Sequence, residues 1–153
     1  MSDDLLLVIT PLRKALERIQ RKAEPLLAKP NLLETEEGED LLDVICMQFL
    51  AAGEALKRLE KLQPGLLPTS FPDIDWRGAM GFRDVIAHQY FDLDAEQVLL
   101  ICRDALPGVL AAILSLERTI QAGDTEGQQT AGQQSEGQHT EQMGLGLCAS
   151  TIR

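Results

Sequence analysis

Aromatic residues are nearly missing from this chain: one Trp, one Tyr and four Phe, 4% of 153 residues. Strands draw on aromatic and β-branched side chains, so their scarcity in a chain crowded with Leu and Ala favours helices. Positive charge is also short. Lys and Arg number 14 against 24 Asp and Glu, giving a net charge of -10 and a pI near 4.6. Such a chain gains nothing from counterion release and cannot coat nucleic acid indiscriminately, so any contact with RNA must be a local basic site. The same acidity suits a basic partner protein. The cysteines, Cys46, Cys102 and Cys148, are too few and too scattered for a disulfide framework or a zinc site, and buried reduced thiols are expected. The longest apolar run, Leu106 to Leu116, is well short of the roughly 18 residues a membrane span needs. Ser2, Asp3 and Asp4 open the chain without the basic region of a secretory signal. A cytoplasmic protein with no membrane contact is expected.

What is present is helical periodicity. Leu5, Val8, Ile9, Leu12, Leu16, Ile19 and Ala23 recur at three- and four-residue spacing and predict one amphipathic helix. Thr10 and Pro11 either cap a helix that starts there or kink a longer one. Pro25 and Pro30 close the segment, and the acidic run Glu34 to Asp40 reads as a loop. Leu42, Ile45, Phe49, Ala52, Leu56 and Leu59 form one stripe of a second helix, ended by Pro64, Gly65 and Pro68. Gly53 weakens that helix by about 1 kcal/mol relative to Ala, which implies a close approach by another part of the backbone. Asp73 is a candidate N-cap for a third helix from Ile74 towards Tyr90. Asp94 with Gln97 makes a capping-box pattern for a fourth helix from Ala95. Leu106-Pro107 breaks it, Val109 to Ile120 makes a fifth helical stretch, and Gly123 is the expected stop.

No alternation of period two survives anywhere, so the expected fold is all-α: an up-and-down bundle of four to five helices over residues 1–121. Behind it, residues 122–153 are a low-complexity tail with an imperfect Gly/Gln/Glu repeat from Thr125 to His139. The tail has almost nothing to bury against an ordering entropy of roughly 1–2 kcal/mol per residue, so disorder is expected, with Gln-mediated self-association as the alternative.

The stretch Pro72 to Asp94 carries Arg83, Asp84, His88 and Tyr90: an Arg followed directly by a polar residue, then His five positions after the Arg, and Tyr two beyond it. With Gly53-Glu54-Ala55 and Trp76 before and Leu106-Pro107 after, in order, the chain resembles the HepT-like branch of the HEPN ribonucleases from Leu5 to about Ile120. The resemblance implies a metal-independent ribonuclease toxin with Arg83 and His88 catalytic, needing no cofactor. It further implies pairing with an MNT-type nucleotidyltransferase antitoxin that transfers AMP to Tyr90, and commonly a homodimer. The alternative is a non-catalytic helical binding subunit of such a nucleotidyltransferase.

The residue chemistry agrees with that implication. The Arg83 guanidinium is a permanently charged donor fork suited to phosphate. Histidine is the side chain whose free pKa lies nearest neutrality, which suits His88 to proton transfer. Neither belongs to a metal-ligand cluster, so the expected reaction is attack of the RNA 2′-hydroxyl on the adjacent phosphate. On an ideal helix Arg83 and His88 lie about 140° apart, so either the helix ends near His88 or two copies face each other. Asp84, four residues before His88, could orient its ring; Tyr90, seven after Arg83, shares the Arg83 face and is expected beside it. Glu54 either pairs across the bundle or is solvated, and Trp76 reads as a core or interface anchor. His139 is expected to be inert, and the Arg13, Lys14, Arg18, Arg21, Lys22 cluster to be a solvated face.

Overall fold

The computed structural model describes residues 2–136, with side-chain surroundings through residue 125. Six α-helices follow in order: α1 (Ser2–Ala28), α2 (Glu36–Leu62), α3 (Leu66–Ser70), α4 (Trp76–Gln89), α5 (Ala95–Asp104) and α6 (Leu106–Glu136). Short 3-10 turns, Pro30–Glu34 and Tyr90–Asp92, precede α2 and follow α4. No strand occurs among the described residues, so the all-α bundle holds. Among the described residues the one unforeseen α-helix is the short α3, which admits Pro68 in its first turn.

The core is the set of stripes read from periodicity. All seven α1 positions named above are buried, as are Ile45, Ala52, Leu56 and Leu59 of α2, with Phe49 partly so. Each fully buried Leu or Ile contributes about 1.5–3 kcal/mol of transfer free energy. These stripes lay α1 against α2 and α6, while α4 packs mainly on α2. Pro11 lies inside α1 without ending it, since burial on both sides outweighs the one hydrogen bond it forfeits. No single described helix is long and apolar enough to cross a membrane.

Several boundaries and caps differ from the sequence reading, Pro25 among them, since it lies inside α1 rather than closing it. The acidic run is not a loop but the first turn of α2: Thr35 is the N-cap, its hydroxyl accepting from the Gly38 amide at 3.1 Å. Glu36, Glu37 and Glu39 then sit where the helix dipole favours negative charge. The cap of α4 is Asp75 rather than Asp73, its carboxylate accepting from the Gly78 amide at 2.9 Å. At α5, Asp94 does cap, but through the Glu96 amide at 3.0 Å. Finally, α6 runs past Gly123 to Glu136. Gly65 is the only described residue with positive φ, so Gly123 lacks the left-handed conformation a C-terminal stop requires. The rest of the expected tail, residues 137–153, lies outside the described residues, His139 and Cys148 included.

The basic cluster on α1 is not wholly a solvated face. Arg13 Nε meets Glu117 Oε2 at 2.6 Å and its Nη1 meets Glu17 at 3.0 Å, while the Thr10 hydroxyl donates to Glu117 Oε1 at 2.8 Å. Glu117 is buried, and this network ties α1 to α6. Lys14, Arg18 and Arg21 are exposed.

Candidate active site

The site rests on α4 and the face of α2 beneath it. Trp76 opens α4 and is buried, its indole Nε1 donating to the Phe71 carbonyl at 3.0 Å. It anchors the helix in the core, with Phe71 packed edge-on at 6.3 Å. Further along, Ile86 is buried and Phe82 packs edge-on to Phe49 at 5.1 Å between ring centres. Phe82 meets Phe49 and Arg83 meets Glu54 from the middle of α2 onward, while Tyr90, just beyond α4, reaches back to Asp43 nearer its start.

Gly53 makes the approach possible. A Cβ there would stand 2.4 Å from Arg83 Cβ and 2.9 Å from its Cγ. What the glycine admits is the stem of the Arg83 side chain rather than another stretch of backbone. Arg83 is thereby pinned against α2 and only 30% exposed. Glu54, from the same Gly-Glu-Ala segment, reaches Arg83 Nε at 2.5 Å, which resolves its role as a cross-helix ion pair. The approach is off the N–H direction, so Nε, though enclosed, lacks an aligned hydrogen bond.

No hydrogen bond joins Asp84 to His88 in this structure. Asp84 Oδ1 accepts from Lys57 Nζ at 2.8 Å and from Arg83 Nη1 at 3.1 Å. The Lys57 hydrogen bond, assisted by that of Arg83 against partial desolvation, holds the Asp84 carboxyl below its ordinary value. The ammonium and the guanidinium both give this carboxylate charge-assisted bonds, about twice as strong as neutral ones. His88 is exposed in the last turn of α4, which stays helical through it to Gln89. The turn between Arg83 and His88 is therefore the full 140° or so of a regular helix. Arg83 faces α2; His88 shares the opposite, solvent-facing stripe with Gly81 and Val85.

Tyr90 shares the Arg83 face yet does not sit beside it. Its hydroxyl donates to Asp43, eleven residues before Glu54 on α2, which is about 16 Å along the helix. The Asp43 hydrogen bond, then burial and the Asp43 charge, push the phenol up to about 12. Burial, then Asp43, pushes the neighbouring Cys46 thiol up to about 11, and burial pushes Cys102 to about 12, so both stay protonated and inert. Tyr90 is the only tyrosine, so its titration is directly readable. Its stabilising contribution is complete below the ordinary value of 10 and lost as pH rises through about 12. Tyrosinate absorbance should show a midpoint near 12, falling towards 10 in Asp43→Ala. A midpoint near 10 in the parent protein would contradict the Asp43 bond.

Asp43 and Lys57 are the site residues that the sequence did not announce. A signal exists: Asp43, Glu54 and Lys61 recur at eleven and seven residues, with Lys57 close to the same stripe of α2. Among the described residues no group of three His, Cys, Asp or Glu side chains gathers to hold a metal ion.

No solved structure matches the chain. A family model described as "Ribonuclease HepT-like" matches residues 12–116, more than half of the sequence, taking in α1 from Leu12, the Gly53-Glu54-Ala55 segment, the whole Arg83-to-Tyr90 motif and the Leu106-Pro107 junction. The chain belongs to the HepT-like ribonuclease family.

Proposed function

We propose that the protein is a metal-independent endoribonuclease toxin, cytoplasmic and active as a homodimer. The observation that carries this reading is a phosphate-suited donor fork, Arg83, fixed on α2 by Gly53, with an exposed proton-transfer group, His88, on the outer stripe of the same helix. The 2′-hydroxyl of RNA attacks the adjacent phosphorus, the 5′ oxygen leaves, and a 2′,3′-cyclic phosphate results. His88 moves a proton and Arg83 neutralises the charge that develops on the phosphate oxygens.

Because the two side chains diverge on one helix, the productive pair is Arg83 of one copy with His88 of another. Apolar exposure around the motif supports a second copy there: Phe91 is 98% exposed, and Met47 and Val85 are exposed too. Facing copies also concentrate positive charge that an acidic chain otherwise lacks.

Tyr90 is the proposed site of silencing by a partner nucleotidyltransferase. Its phenol oxygen attacks the α-phosphorus of ATP, pyrophosphate leaves, and the phenol proton passes to Asp43. An AMP group there adds bulk and negative charge to a cleft that must admit an anion. Expression with and without His88→Ala, scored by growth and RNA integrity, tests the toxin reading. Growth arrest with RNA loss should disappear in the variant; arrest that persists unchanged would overturn it.

A further inference from the structure

Two cations converge on one oxygen atom in this site. Asp84 Oδ1 lies 2.8 Å from Lys57 Nζ and 3.1 Å from Arg83 Nη1. Nothing about Asp84 demands burial of that pair, since its side chain is 49% exposed and that of Lys57 33%. Ion pairs this exposed are weak, so a better anion can displace the carboxylate easily. A phosphate oxygen has the same charge type and the same hydrogen-bonding demand as Asp84 Oδ1.

We propose that Lys57 is a second phosphate-binding residue: Lys57 Nζ and Arg83 Nη1 together form the seat of an RNA phosphate oxygen, which Asp84 Oδ1 occupies until substrate displaces it. Lys57 therefore positions substrate while Asp84 competes with it. The surface beyond Lys57 suits a strand that continues. An open groove of about 490 Å³ between α1 and α2 is lined by Lys57, Arg58 and Lys61, which outnumber the one carboxylate there, Glu54, with Leu7 and Pro11 on its far wall. Among the described residues Arg58 and Lys61 take part in no ion pair, so both are free for neighbouring phosphates. In a chain of net charge -10 this is a local concentration of basic groups of the kind RNA contact requires.

The inference rests on the ribonuclease reading, and the test separates the two. Binding of a non-cleavable 2′-O-methyl RNA to the full-length protein is measured against salt, and cleavage of ordinary RNA is measured alongside. Lys57→Met should weaken binding about tenfold and lower the salt slope by about 0.7, the loss of one phosphate contact on a single strand. Asp84→Asn should do the reverse and tighten binding, because the competing charge is gone, while Lys57→Arg should retain the slope. A merely structural Lys57–Asp84 link would make both variants weaken binding together, and that outcome overturns the proposal. Parental binding and cleavage with an unchanged Lys57→Met slope overturns this inference alone. A parent protein that neither binds nor cuts RNA overturns it together with the ribonuclease reading.

Discussion

Purified protein should cleave RNA in the presence of a chelator, and Arg83→Ala or His88→Ala should each lower the rate by about 10²–10⁴, the usual contribution of a positioned proton-transfer group or oxyanion partner. The products should carry 2′,3′-cyclic phosphate and 5′-hydroxyl ends, because the nucleophile belongs to the RNA itself. DNA should be untouched for the same reason. Neither variant should lose its fold: His88 is exposed, and Arg83 makes its ion pairs at a half-exposed surface. Circular dichroism should therefore match the parent while activity collapses. Retained cleavage in both variants would remove these side chains from the chemistry.

Gly53→Ala should damage activity far more than stability. Two effects on stability oppose each other. Alanine improves the helix interior by about 1 kcal/mol. Against this, overpacking costs about 1–3 kcal/mol, and the clash here is with Arg83 Cβ, which cannot swing away without moving α4. The net effect is a modest loss, up to about 2 kcal/mol, read in a denaturant titration. Arg83 rides on α4, and a misplacement of about 1 Å can cost a hundredfold in rate. The expected result is thus a folded protein with activity down by about two orders of magnitude. Unchanged cleavage would mean that the Arg83 seat on α2 has no part in catalysis.

Much of the fold was legible because its long helices carry their cores as simple stripes. The α1 stripe from Leu5 to Ala23 and the α2 stripe from Leu42 to Leu59 are apolar at helical spacing, and burial follows them. Boundaries were less legible because capping depends on which donor a side chain can reach. Asp73 and Asp75 are both competent caps; the amide of Gly78, three residues after Asp75, decides between them. Thr35 went unread because the glutamates behind it looked like a loop, although a helix start favours them.

Of the site, the sequence carried the residues on α4 and the Gly53-Glu54 pair, since these form a motif in linear order. It did not carry their partners. Asp84 could have met His88 by helical spacing, but Lys57, 27 residues away, supplied a full charge instead. Asp43 likewise reaches Tyr90 across 47 residues. Such pairings follow from the docking of α4 on α2, which Gly53 permits, and no local pattern reveals them.

The divergence of Arg83 and His88 on one regular helix makes catalysis across two chains the central claim, and mixing tests it most directly. Arg83→Ala and His88→Ala proteins, each inactive alone, are combined, allowed to exchange subunits and assayed on RNA, with sedimentation of the same samples. Random exchange makes half of the dimers mixed, each with one intact Arg83–His88 pair across the interface, so activity should recover to about a quarter of the parental level. No recovery from dimers shown to have exchanged, or full parental activity in a protein that sediments as a monomer, would contradict it.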